Sequence, residues 1–114
     1  MEAIKLAALE DDLLDMKNGL DTQIGDQGNP LSGGQKQRLA LARMFVHKSE
    51  LYIMDDCTSA VDVATQIELW NNISNLVQES HSVCIIATNN EYILKHVNYV
   101  ISLDQGKVVN YKIN

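Results

Sequence analysis

Three short groups of residues have the types and spacing that chemistry needs. The first is Ser32-Gly33-Gly34-Gln35, at the head of an amphipathic stretch. A helix start leaves its first backbone N–H groups unpaired and carries the positive end of the helix dipole. Ser32 is a good N-cap, and two glycines let a ligand approach the backbone closely. The serine hydroxyl and glutamine amide add side-chain donors. Such a cluster would cradle a phosphate. The same four residues also describe an ordinary serine-capped helix, and taken alone they favour that plainer account. The second group is Asp55-Asp56, directly after the apolar run Leu51–Met54. In parallel sheets ligands bind beyond the carboxyl ends of the strands. Two acids placed there could hold Mg²⁺, directly or through water, and one could orient an attacking water. An acidic pair in a surface turn is the alternative, but the apolar run before it favours a crevice at a sheet end. The third is Asn89, which closes the next apolar run. Its amide can donate a hydrogen bond to the same crevice but cannot exchange a proton near neutral pH. A turn asparagine is the plainer account there.

The elements that must position these groups follow from periodicity. Met1 to Met16 is helical in character, in two pieces, with Glu10, Asp11 and Asp12 at the start of the second, where the helix dipole favours acids. Asn18-Gly19 stops it. Residues 20–30 form a loop rich in turn formers, with Pro30 biasing Asn29 away from helix. A helix is expected from Gly33 to Lys48, with Leu39, Ala42, Phe45 and Val46 as its apolar stripe and Arg38 and Arg43 off it. Leu51–Met54 reads as a strand buried on both faces, as in a parallel sheet. Thr58 to Asp62 is a turn, Ala64 to Gln78 a helix with Trp70 in the core, and Ser82 to Ala87 a second buried strand. Thr88-Asn89-Asn90 forms the tip of that strand. One or two helical turns over Glu91–His96 lead to a third strand, Val97–Leu103. Asp104 to Lys107 turns the chain so that Val108–Ile113 can pair back as a hairpin. Alternating strands and helices give an α/β fold with a largely parallel sheet flanked by helices and a C-terminal β-hairpin.

Length and composition bound the rest. The 114 residues suffice for one small domain, and 46% hydrophobic with 21% charged residues fits a folded soluble protein. A net charge of -6 disfavours nucleic acid as a partner, since phosphate backbones want a basic face. Cys57 and Cys84 show no zinc spacing and read as reduced thiols. His47, His81 and His96 are scattered without ligand spacing. No apolar run reaches membrane-span length and no signal peptide opens the chain, so direct membrane insertion is not expected. Gly28 and Gly33 have the spacing of the two glycines of a P-loop, but Gly34 and Gln35 stand where Lys and Ser or Thr belong and no strand precedes Gly28, which excludes a P-loop.

The order of the motifs is more specific than any one of them. LSGGQKQRLALAR, then LYIMDD, then Ser59-Ala60-Val61-Asp62 resembles the nucleotide-binding domain of ABC transporters, of exporter type. LSGGQ matches the family's signature motif, LYIMD its Walker B strand and SAVD its D-loop. LDTQIGDQG is similar to the segment before the signature, and YVISLDQGKVV to the closing strands. The resemblance covers nearly the whole chain. It implies one partial ATP-binding domain over residues 1–114, with a helical and signature segment at 1–48 and Walker B through the closing strands at 49–114. It further implies that Ser32, Gly33, Gly34 and Gln35 contact the γ-phosphate of ATP held on the P-loop of a second nucleotide-binding domain, that Asp55 serves Mg²⁺, and that Asp62 bridges to that partner. Asp56 stands at the position of the catalytic glutamate and Asn89 at that of the switch histidine; Cys57 replaces the usual proline. The family's P-loop, stacking aromatic and Q-loop would lie N-terminal to Met1. The resemblance is therefore to the C-terminal half of such a domain, cytoplasmic and held at the membrane through a transporter's transmembrane domain. A non-catalytic regulatory or interaction remnant is the alternative; an ABC ATPase of DNA maintenance ranks below both. Without the neighbouring P-loop strand, an apolar sheet edge would be exposed, and the chain alone is expected to be marginally stable.

Overall fold

A computed structural model describes all 114 residues, Met1–Asn114. Two short helices open the chain, α1 (Glu2–Leu6) and α2 (Glu10–Leu14), followed by a 3₁₀ turn at Gly19–Asp21. Helix α3 (Gly33–Phe45), strand β1 (Leu51–Asp55), helix α4 (Val63–Ser80), strand β2 (Val83–Ala87) and helix α5 (Glu91–His96) form the middle. Strands β3 (Tyr99–Asp104) and β4 (Lys107–Ile113) close it. No helix is long and apolar enough to cross a membrane.

The α/β reading holds, with parallel pairing confined to two strands. β1 and β2 lie parallel with Ile53 opposite Ile85 and Asp55 opposite Ala87, as a strand–helix–strand crossover through α4 requires. The third strand does not extend this pair. β3 instead pairs antiparallel with β4, across a tight turn in which Gln105 (φ 46°) and Gly106 (φ 74°) both take the left-handed backbone that two-residue hairpins favour. An irregularity in the ladder falls between Ser102 and Leu103.

β1 is not buried on both faces. Tyr52 and Met54 are buried, while Leu51, Ile53 and Asp55 are exposed. β2 alternates likewise, with Cys84 and Ile86 half-buried between exposed neighbours. The core lies on one side of the sheet only, where Tyr52 and Met54 join Leu41, Ala42 and Phe45 of α3, Leu69, Trp70 and Ile73 of α4, and Ile93 of α5. Phe45 and Tyr52 meet edge to face with ring centroids 6.3 Å apart. Helix α1 covers this layer through Ala7 and Leu9 just beyond its end. The Asn72 amide of α4 pins it by donating to the carbonyls of Lys5 and Leu6.

Helix α3 also differs in detail. It stops at Phe45 instead of Lys48, and its buried side is Leu41, Ala42 and Phe45, with Leu39 half-buried and Val46 exposed. The stripe is thus rotated toward Leu41 on a helix that also packs against α1. Helix α4 begins one residue early, at Val63, and runs on to Ser80, where His81 (φ 52°) ends it in the left-handed conformation.

Candidate functional site

The start of α3 is built as a reciprocal cap. Ser32 Oγ accepts from the Gln35 N–H at 3.1 Å, and Gln35 Oε1 accepts from the Ser32 N–H at 2.9 Å. The S-x-x-Q spacing is the sequence signal for this box. The Gly33 and Gly34 amides have no acceptor within the helix, as at any helix start. The glycines differ in purpose. Gly33 is exposed, and a Cβ built on it would reach Ala60 Cβ at an ordinary 3.5 Å. Gly34 is buried, and a Cβ there would meet the Ala60 carbonyl oxygen at 2.8 Å and Val61 Cγ1 at 3.1 Å. Its missing side chain therefore admits the 56–62 loop, not a ligand. The Gln35 amide, expected as a free donor, is occupied: Nε2 donates to Asp12 Oδ1 at 2.6 Å while Oε1 serves the cap. Asp12 Oδ2 accepts from Arg38 Nη1 at 2.6 Å, with both side chains largely buried. Arg38 Nη1 also donates to the Ala8 carbonyl at the α1–α2 junction. Asp12, singled out from sequence only as a dipole-favoured acid, thus ties the second short helix to the glycine-bearing helix start.

The two carboxylates sit where β1 ends. Asp55 and Asp56 are exposed and neither forms an ion pair. Asp56 has φ 46°, a left-handed conformation that Asp tolerates better than most residues. Its N–H donates to the Ala87 carbonyl at 3.0 Å, which ties it to the end of β2. Asp62 caps α4, accepting from the Thr65 hydroxyl at 2.7 Å and the Thr65 N–H at 3.0 Å. These bonds, the hydroxyl's first, hold its carboxyl below the usual aspartate value. Asn89 is exposed beyond β2, and its neighbour Asn90 turns inward onto Gln66 of α4. Cys57 is held protonated chiefly by burial, and Cys84 is pushed up to about 11 by burial and by Cys57. Neither thiol is therefore a ready nucleophile.

The chain thus brings an exposed helix start, a loop pressed against it and two unpaired carboxylates into one assembly. No group of three or more His, Cys, Asp or Glu residues stands ready to hold a metal ion. A Mg²⁺ site would suit the carboxylates only if other oxygens completed it, which fits this ion's habit of taking one or two carboxylates beside phosphate oxygens and water.

A family model described as ABC transporter matches residues 6–59. The uncharacterized ABC transporter ATP-binding protein YfiB of Bacillus subtilis is 35% identical over 109 residues, which is 96% of this chain and 18% of that protein. The beta-(1-->2)glucan export ATP-binding/permease protein NdvA of Rhizobium meliloti is 38% identical over 109 residues, again 96% of this chain and 18% of the relative. A solved bacterial Atm1-family ABC exporter with ATP bound superposes with a TM-score of 0.87 at 31% identity, over 96% of this chain and 19% of that one. The chain is homologous to exporter-type ABC transporter nucleotide-binding domains. It spans about a fifth of the length of these relatives. The helix-flanked parallel β1–β2 pair and the terminal antiparallel hairpin are thus an ABC-type arrangement, since the superposition with the exporter covers nearly every residue.

Proposed function

We propose that this chain is the C-terminal part of an ABC exporter's ATP-binding domain and supplies one half of a nucleotide site to a partner domain. The observation that carries the reading is the packing of Gly34 against Ala60, which leaves no room for a Cβ. It sets the Ser32–Gly33 helix start beside the loop that begins at Asp56 and ends at Asp62. In this reading Ser32 and the Gly33 and Gly34 amides face the γ-phosphate of ATP held on the P-loop of a second nucleotide-binding domain, and Gln35 keeps that surface in shape through the cap. Asp55 serves Mg²⁺, and Asp62 meets the partner domain. ATP binding and hydrolysis would be coupled to a transmembrane domain, with this chain at the cytoplasmic face of the membrane.

A second reading is favoured by two residues. Asp56 carries the position expected of the catalytic base on a carboxylate one methylene shorter than glutamate, on a left-handed backbone. Asn89 offers an amide in place of an imidazole. A misplacement of about 1 Å in a reacting group costs roughly 100-fold in rate. The site then binds nucleotide and turns it over slowly, in a regulatory role. One experiment addresses both. Residues of this chain replace the matching stretch of the Bacillus subtilis relative YfiB, and ATP binding and hydrolysis are measured. Binding with turnover reduced about 100-fold, restored by Asp56→Glu with Asn89→His, supports a half-site with impaired chemistry. A hybrid that folds but binds no ATP, with or without Ser32→Arg, would sink the nucleotide reading altogether.

A further inference from the structure

The loop between β1 and α4 carries Asp56 at one end and Asp62 at the other, yet it makes little secondary structure of its own. Its one internal backbone hydrogen bond runs from the Val61 N–H to the Thr58 carbonyl at 3.3 Å. Side-chain amides hold it instead. From α3, Gln37 accepts the Ala60 N–H at 2.9 Å through Oε1, and its Nε2 donates to Ser59 Oγ at 2.9 Å and to the Asp56 carbonyl at 3.3 Å. From α4, Gln66 Nε2 donates to the Thr58 carbonyl at 2.9 Å and to the Val61 carbonyl at 3.0 Å. Gln66 Oε1 in turn accepts from Asn90 Nδ2 at 2.6 Å. Asn90 Oδ1 caps α5 by accepting the Tyr92 N–H at 2.9 Å.

We propose that Gln37, Gln66 and Asn90 form a carboxamide relay that positions the Asp56–Asp62 loop against the start of α3, so that the helix start, both aspartates and the Asn89 tip move as one unit. The two glutamines grip the loop from two different helices, Gln37 at Asp56, Ser59 and Ala60 and Gln66 at Thr58 and Val61. A shift of α3 is therefore passed to Asp56 and, through Gln66 and Asn90, to the end of β2. A primary amide is suited to this because it donates and accepts at once and carries no charge to desolvate. Its grip also does not titrate. The three residues are positioning residues; none is expected to touch nucleotide. The proposal rests on the half-site reading only for its functional consequence.

Amide hydrogen exchange on the full chain tests the grip without any nucleotide. Gln37→Met keeps the length of the side chain and removes every hydrogen bond; Gln37→Glu keeps an oxygen for the Ala60 N–H. Gln37→Met is expected to speed Ala60 exchange about tenfold or more and to shift the Asn90 side-chain amide resonances, although Gln37 does not touch Asn90. Gln37→Glu is expected to stay near wild type at Ala60. Equal exchange in wild type and Gln37→Met, or unmoved Asn90 resonances, overturns the relay. Where Gln37→Met fails to fold, Gln66→Met reads the same loop from its other side, with the Val61 and Ala60 amides as reporters. In the YfiB hybrid, Gln37→Met is expected to lower kcat about tenfold with KM little changed. An altered Ala60 exchange with unchanged kcat overturns the positioning role. A hybrid that binds no ATP in any variant, beside the expected exchange results, strikes the half-site reading and leaves the relay standing.

Discussion

Adjacent glycines at the head of α3 do different work. Gly34 makes space for protein. An alanine there puts its Cβ 2.8 Å from a backbone oxygen that cannot swing aside, so Gly34→Ala should cost about 1–3 kcal/mol, as overpacking does, and lift the 56–62 loop. Gly33 lies open, with only an ordinary contact to Ala60 Cβ. Gly33→Ala should leave stability unchanged or raise it by about 0.4–1 kcal/mol, because alanine restricts the unfolded chain. Urea midpoints for the two variants check the contrast. In the YfiB hybrid the order should invert for Gly33, with ATP affinity falling although the fold is intact, because its missing Cβ is what leaves the helix start open. Sequence placed both glycines together as aids to ligand approach. Nothing local in the string SGGQ reveals that one of them faces a loop 26 residues away.

Individual elements were legible where their signals are local. The serine cap, the strand ending in acids and the hairpin turn all rest on neighbours in sequence, and each lies where expected; the reciprocal bond to Gln35, expected as a free donor, was missed although its spacing from Ser32 signals it. The buried faces were harder. LYIM is apolar at every position, so the run carries no phase, and only the helices packed on one side decide that Tyr52 and Met54 are inside. In the sequence the amides of Gln37, Gln66 and Asn90 look like solvent-facing side chains, and only the folded loop shows what they hold. Asp62 was singled out only through the family resemblance, as a bridge to a partner; its bond to Thr65 follows from its place as the cap of α4. That cap has a pH signature. The Asp62 carboxyl is held below its ordinary value by the Thr65 hydroxyl and then by the Thr65 N–H. A depressed carboxylate stabilises the fold fully above its unfolded value, about 3.9, and loses that contribution as pH falls through the lower folded value. Asp62→Ala should therefore lower the urea midpoint by a constant amount above about pH 5, and the gap to wild type should close as the pH drops below about 4. Asp62→Ser, which caps without charge, should start from a smaller gap at neutral pH and shift by the same amount over this range, since both variants lack the titrating carboxyl.

The molecule as a whole exposes more surface than its mass requires. Its accessible area is 8261 Å², against about 6,200 Å² for a compact monomer of this size. Its radius of gyration is 15.6 Å, against about 13 Å. Much of the difference is apolar sheet. On one face of β1 and β2, Leu51, Ile53, Val83 and Ile85 stand open, and Ile53 is 68% exposed beside Met54 at 4%. The β3–β4 hairpin adds Ile101, Leu103, Val108 and Ile113. An open, flat, apolar sheet invites pairing with other chains, and lysine on such a surface opposes it. For the chain alone, Ile53→Lys with Ile85→Lys should shift sedimentation velocity profiles from associated species to monomer while the urea midpoint stays near wild type, since neither side chain is packed. Met54→Lys, four-hundredths exposed, should unfold the chain. In the YfiB hybrid the expectation reverses. If the open face is where the rest of an ATP-binding domain packs, the Ile53 and Ile85 lysines would be buried unpaired and the hybrid should lose both its fold and its ATP binding. Lysines harmless in both settings would mean that this face stays bare even in the longer protein, and that its apolar residues serve some contact other than the completion of the domain.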